Sequence, residues 1–191
     1  LATAEIEFTN ALAYPVGSPE EGFKIAVSDL LNTSRWLNAV ANAGILRRAY
    51  LEALLYAQSR RAFGRVIISF PPILEKLARL KTEWIRALYS SWLVTQLDER
   101  VDAGTATHDE RLFYRCLVNA NKYAVSLQCT EAVRTAMGVL GGNGTIENFS
   151  VLPRLSRDSQ VYELWEGTHD VLCAQILRDL SESGSDVIFD A

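Results

Sequence analysis

Apolar residues along this chain recur at helical spacing in long, uninterrupted stretches. From about Phe23 to Arg60, the positions Leu30, Leu37, Ala41, Ile45, Ala49 and Leu55 repeat with the period of one helix face. Gly44 lies inside this stretch, where a glycine costs about 1 kcal/mol relative to alanine and often lets two helices approach closely. A second helix is predicted from about Pro71 to Arg100. Its proline pair suits a first turn, whose N–H groups lack helical partners anyway. Leu74, Leu77, Ile85, Leu88, Trp92 and Leu97 mark its buried stripe, and Arg79, Lys81 and Glu83 its wet face. A third helix is predicted over His108–Leu140. Thr107 and Glu110 form a capping-box pattern before it, and Gly141 stands where a glycine should end it. Leu112, Cys116, Ala120, Tyr123, Leu127 and Met137 supply its apolar positions. The fourth region is broken: a short turn around Pro153–Val161, then a last helix from about Thr168 to Leu180.

The breakers agree with this division. Between Phe23 and Ala103 the only glycines are Gly44 and Gly64, and no proline occurs from Ile73 to Leu152. Upstream, Glu5-Ile6-Glu7-Phe8 alternates charged and apolar and reads as a strand end, while Gly17, Pro19 and Gly22 read as loop. The expected fold is all-α: an antiparallel four-helix bundle over residues 22–181, with a short irregular segment at 1–21 and a polar tail at 182–191. Trp36, Trp84, Tyr89 and Trp92 cannot all face one core axis. Self-association would cover the surplus.

Composition narrows the class. The chain has 191 residues, 49% hydrophobic and 22% charged, which excludes wholesale disorder. A net charge of −4 argues against a general grip on nucleic acid or on an anionic membrane. No run approaches the roughly 20 apolar residues of a membrane span. Cys116, Cys129 and Cys173 are too few and too scattered for a disulfide scaffold or a zinc site. They read as small buried residues in a reducing, cytoplasmic setting. His108 and His169 read as surface residues, so no metal site is expected. The chain starts at Leu1 rather than at methionine, which reads as a cut through something longer.

Three segments could carry chemistry, and each has an ordinary structural reading. Arg60-Arg61-Ala62-Phe63-Gly64 could simply end a helix, arginine complementing its dipole, or it could hold a phosphate with a flat aromatic alongside. Gly141-Gly142-Asn143-Gly144 could be a plain turn; its spacing matches neither a P-loop nor a dinucleotide fingerprint. Trp165-Glu166-Gly167-Thr168 could cap the last helix, or Glu166 could be a general base.

In order and spacing, these segments together with Arg157-Asp158 resemble the C-terminal helical domain of the acyl-CoA dehydrogenase family over about residues 22–181. The resemblance implies that residues 1–21 end a middle β domain and that the bundle assembles homodimers or homotetramers. It implies FAD held between the β domain and the bundle, and an acyl-CoA substrate desaturated between its α and β carbons. Electrons would then pass to an electron-transfer flavoprotein. By the same resemblance Glu166 is the base that removes the α-proton, its own backbone N–H polarising the thioester carbonyl. Arg60 and Phe63 reach the FAD of a neighbouring subunit. Gly141 and Gly142 offer main chain to its adenosine half, and Thr168 contacts it near the flavin. Arg35, Trp165 and Gly167 face the substrate.

Ser34 occupies a position that supplies the base in some branches; a serine cannot, and Glu166 is present, so the commoner arrangement is expected. Thr145, Gly138 and Asp170 depart from residues common in the family, an aromatic at the first and glutamines at the other two. The run Leu152-Pro153-Arg154-Leu155 with Trp165-Glu166-Gly167 is also similar to a branch containing a DNA-binding alkylation-response flavoprotein. The acidic balance speaks against that role here. The chain alone, lacking the β domain, is expected to bind no flavin and to be inactive, an assembly module of the larger enzyme.

Overall fold

A computed structural model describes residues 4–183. The tail expected at 182–191 thus lies almost wholly outside the described residues. Residues 4–18 form no strand, and Ile6, Phe8, Leu12, Tyr14 and Val16 are exposed. The strand end expected at Glu5–Phe8 does not form: a strand needs a partner to take its hydrogen bonds, and no described strand pairs with these residues.

Entry into the bundle is irregular. Pro19–Glu21 is a 3₁₀ turn, Gly22–Lys24 a single α turn, and Ile25–Leu30 a π turn. The Leu31 N–H then bonds the Ala26 carbonyl, five residues back. Helix α1 follows at Leu31–Ser59. The continuous helix expected from Phe23 is therefore interrupted, and its buried face matches the predicted one only in part: Ala49 is buried and Ile45 packs against the core. Leu30, Leu37 and Leu55 point outward, while Arg35, Asn38, Ala39, Asn42, Ala43, Leu46, Ala49, Ala53 and Ala57 point inward. Short side chains let α1 lie close against two neighbours. Gly44 is not the close-approach site: a Cβ built there meets nothing within 4 Å.

After α1 the chain makes a hairpin, β1 (Arg61–Ala62) antiparallel to β2 (Arg65–Val66), which the sequence reading took for a helix end. Phe63 (φ 51°) and Gly64 (φ 81°) turn it, both in the left-handed region that a two-residue hairpin demands. Helix α2 spans Pro71–Asp102 and α3 spans His108–Leu140. The capping box before α3 forms as expected: the Glu110 N–H donates to Thr107 Oγ1 (3.2 Å) and the Thr107 N–H to Glu110 Oε2 (2.8 Å). Gly141 (φ 62°) ends α3, and Gly141–Thr145 continues as a 3₁₀ turn. Where a short turn was expected, α4 runs over Leu152–Leu164, with Pro153 in its first turn and Leu152, Leu155 and Ser159 buried. Helix α5 closes the bundle at His169–Ser183.

The result is the antiparallel four-helix bundle, its fourth position shared by α4 and α5. One core joins Leu46 and the α1 alanines to Leu77, Leu80, Val125, Val133 and Leu152; a second gathers Val94, Leu97, Tyr114 and Val118. Of the predicted α2 stripe only Leu77 and Leu97 are buried; Leu74, Ile85, Leu88 and Trp92 are exposed. Tyr89 and Trp92 are 71% and 61% exposed, so the aromatic surplus is real. Cys116 and Cys129 are buried, but Cys173 is exposed because it falls on the outer face of α5.

Candidate active site

The connection between α4 and α5 is only a few residues long, and buried side chains hold it from both sides. Asn38 Nδ2 donates to the Tyr162 carbonyl (2.8 Å). Arg35 Nε donates to the Glu166 carbonyl (3.0 Å), and another guanidinium nitrogen donates to Asn119 Oδ1 (2.7 Å). Lys122 Nζ donates to the carbonyls of Glu163 (2.8 Å) and Gly167 (2.9 Å). The last carbonyls of a helix lack helical partners, so donors at the end of α4 answer a standing need. Glu166 sits in this grip with φ 59°, followed by Gly167 with φ 108°. A left-handed conformation costs a non-glycine residue about 1–3 kcal/mol and persists only where surroundings over-determine it. A Cβ on Gly167 would stand 3.3 Å from the Arg35 guanidinium, so glycine also serves close packing there.

The Glu166 carboxylate is half-buried. The Ser34 hydroxyl donates to its Oε1, while Oε2 is buried and has no hydrogen-bond partner among the described residues. An unsatisfied buried carboxylate oxygen is unusual in a settled structure and is found where a ligand or proton completes it. Two cations stand near this charge. Burial drives the Lys122 amine down to about 8, with the charge of Glu166 opposing the shift and that of Arg35 adding to it. Burial likewise lowers Arg35, which Glu166 and Asp179 counteract.

The expected site residues separate into distinct places. Arg35, Glu166 and Gly167 come together. Thr168 follows them in the chain, its carbonyl accepting the first hydrogen bond of α5 from the Leu172 N–H (3.0 Å). Trp165 is exposed and packs edge-on against Tyr162 at 5.8 Å. Arg60, Gly141 and Gly142 line a different cleft, about 390 Å³, with Tyr56, Ile67, Gly138 and Asn143. A Cβ on Gly138, Gly141 or Gly142 would meet nothing within 4 Å, so this main chain lies open to a ligand. Open main chain beside an arginine fits the phosphate and adenosine parts of a nucleotide cofactor. Phe63 is in neither place: it is 94% exposed at the hairpin tip, touching Phe70 edge-on at 6.3 Å.

Lys122, Asn38 and Asn119 were missed as parts of the site. His169, expected at the surface, is half-buried against the Tyr123 ring at 4.5 Å. Among the described residues no group of three or more His, Cys, Asp or Glu could hold a metal ion, and no helix is long and apolar enough to cross a membrane.

Residues 20–181 match the family model described as acyl-CoA dehydrogenase, C-terminal domain. The chain belongs to the acyl-CoA dehydrogenase family. It is 30% identical over 187 residues to the putative acyl-CoA dehydrogenase AidB of Escherichia coli, covering 95% of this chain and 32% of that protein. It is 30% identical over 181 residues to acyl-CoA dehydrogenase family member 11 of Caenorhabditis elegans, covering 95% and 29%. The crystal structure of ACDH-11 from Caenorhabditis elegans, in complex with C11-CoA, superposes with a TM-score of 0.82 at 29% identity, covering 91% of this chain and 28% of that one. The chain thus spans about a third of the length of the curated relatives it matches.

Proposed function

We propose that this chain is the base-bearing C-terminal domain of a FAD-dependent acyl-CoA dehydrogenase, with Glu166 removing the α-proton of an acyl-CoA thioester. The observation that carries this reading is the Glu166 carboxylate itself. One oxygen is held by Ser34, the other is buried without a hydrogen-bond partner among the described residues, and the backbone beneath it is strained. A base needs its carboxylate aimed and short of water before the substrate arrives, because orientation supplies much of the rate. The Glu166 N–H is assigned to the thioester carbonyl, where charge develops as the proton leaves. Trp165 and Gly167 border the acyl chain. Arg35 acts from beneath, since its guanidinium is engaged with the Glu166 carbonyl and Asn119.

FAD, when bound, supplies the acceptor for the β-hydride. Gly141, Gly142 and Arg60 are the residues that would hold its nucleotide half, Thr168 the part nearer Glu166. The hairpin turn holds Phe63 in a left-handed conformation with its ring 94% exposed; we assign that ring to the cofactor of a second subunit. That subunit docks on the α1–α2 face, where Trp36, Val40, Trp84, Leu88 and Trp92 line an apolar groove of about 520 Å³. Residues 1–21 then lead from a β domain into the bundle at 22–181. Reoxidation falls to an electron-transfer flavoprotein.

The test uses the intact flavin-loaded protein under anaerobic conditions. Adding acyl-CoA should bleach the flavin of the wild type. The Glu166→Gln variant should keep its flavin spectrum and fail to bleach. Bleaching at the wild-type rate would remove Glu166 from the reaction.

A further inference from the structure

Lys122 is the largest fully buried side chain of the bundle, with 0% exposure. Burying an ammonium is expensive, so an apolar residue at the same place in α3 would serve packing better. Its hydrogen bonds go to two main-chain oxygens, those of Glu163 and Gly167. The first belongs to the last turn of α4, where a cation complements the helix dipole. The second lies two residues ahead of α5. Asn38 holds only the approach to the loop, at Tyr162, and Arg35 holds Glu166 itself. Among the described residues Lys122 alone grips both sides of Glu166.

We propose that Lys122 is the positioning residue of the Glu166 loop: its ammonium ties the end of α4 to the start of α5 and thereby fixes the left-handed backbone from which Glu166 projects. The mechanical part of this inference stands on geometry alone; its catalytic consequence rests on Glu166 being the base. Removing the ammonium takes its donor from two part-buried carbonyls, and the left-handed residue between them loses what over-determines it. The loop should relax to an ordinary conformation and swing the carboxylate away from its aim.

The test compares wild type, Lys122→Met and Lys122→Gln in the intact flavin-loaded protein. Amide hydrogen exchange read by mass spectrometry should rise roughly tenfold or more over residues 163–168 in Lys122→Met, with the cores of α1, α2 and α3 unchanged. Lys122→Gln, which keeps two N–H donors but not the charge, should show a smaller rise confined to the same residues. It carries the test alone if the methionine variant does not fold. In turnover, Lys122→Met should lower kcat about 10–100-fold while KM for acyl-CoA stays nearly constant, as misaimed chemistry does. Unchanged exchange over 163–168, or uniform acceleration across the bundle, would overturn the proposal. If Glu166→Gln turns over normally, the base assignment falls, and the exchange data still decide the role of Lys122.

Discussion

Gly144 offers a sharp test of how the glycine-rich turn after α3 is built. It is buried, and a Cβ placed on it would stand 2.4 Å from the Met137 carbonyl oxygen and 2.9 Å from the Met137 carbonyl carbon and Cα. All three are backbone atoms in the last turns of α3, so no side chain can swing aside. Ordinary contact would require a separation larger by about 1 Å. That shift must come from the 3₁₀ turn, and it would strain the neighbouring bond from Asn143 Nδ2 to the Tyr56 hydroxyl (3.1 Å). Overpacking of this kind costs about 1–3 kcal/mol, occasionally more. For a domain of this size each kcal/mol lowers Tm by roughly 2–4 °C, so Gly144→Ala should melt about 2–12 °C early by far-UV circular dichroism. Gly142, two residues away, is the control. A Cβ there meets open space, so Gly142→Ala should melt with the wild type while weakening flavin retention. A Gly144→Ala protein within about 0.5 kcal/mol of wild type, or equal losses at both positions, would refute this account of the turn.

Two further outcomes follow from the same structure. Trp92→Lys, on the exposed α2 face, should leave the helical spectrum intact and shift sedimentation toward smaller species; an unchanged assembly state would overturn the proposed docking of a second subunit on this face. The Lys122 amine should titrate near pH 8 rather than near 10.5 when followed by NMR of isotopically labelled lysine. Between those two values the unfolded chain binds more protons than the folded one, so this residue makes stability rise with pH across that window, a slope that Lys122→Met should abolish.

Much of the bundle was legible because its signals are local. The ends of α3 were readable from Thr107, Glu110 and Gly141, and all three do what the spacing implies. The buried face of α1 was misread at Leu30, Leu37 and Leu55 for a physical reason. Leucine marks a core only where room exists for it, and α1 lies close to its neighbours, so apart from Leu46 and Arg35 its inward positions are alanine and asparagine. The hairpin at 61–66 escaped because Phe63 adopts a left-handed conformation that its side chain disfavours.

At the site, the motif pointed to Glu166, but nothing local foretold its strained backbone. Arg35 lies 131 positions from the carbonyl it holds, and Lys122 lies 45 from Gly167. Lys122 did leave a trace. It falls in helical phase with Val118, Val125, Ser126 and Cys129, all buried, and a lysine in that phase is a question the sequence poses by itself.

The most direct measurement of the central claim is deuterium exchange at the α-carbon of an acyl-CoA bound to the intact flavin protein, which reads proton abstraction apart from electron transfer. Wild type should wash deuterium in from solvent. Glu166→Gln, with flavin and acyl-CoA still bound, should show a loss of about 10²-fold or more. Exchange at the wild-type rate in Glu166→Gln would contradict the account.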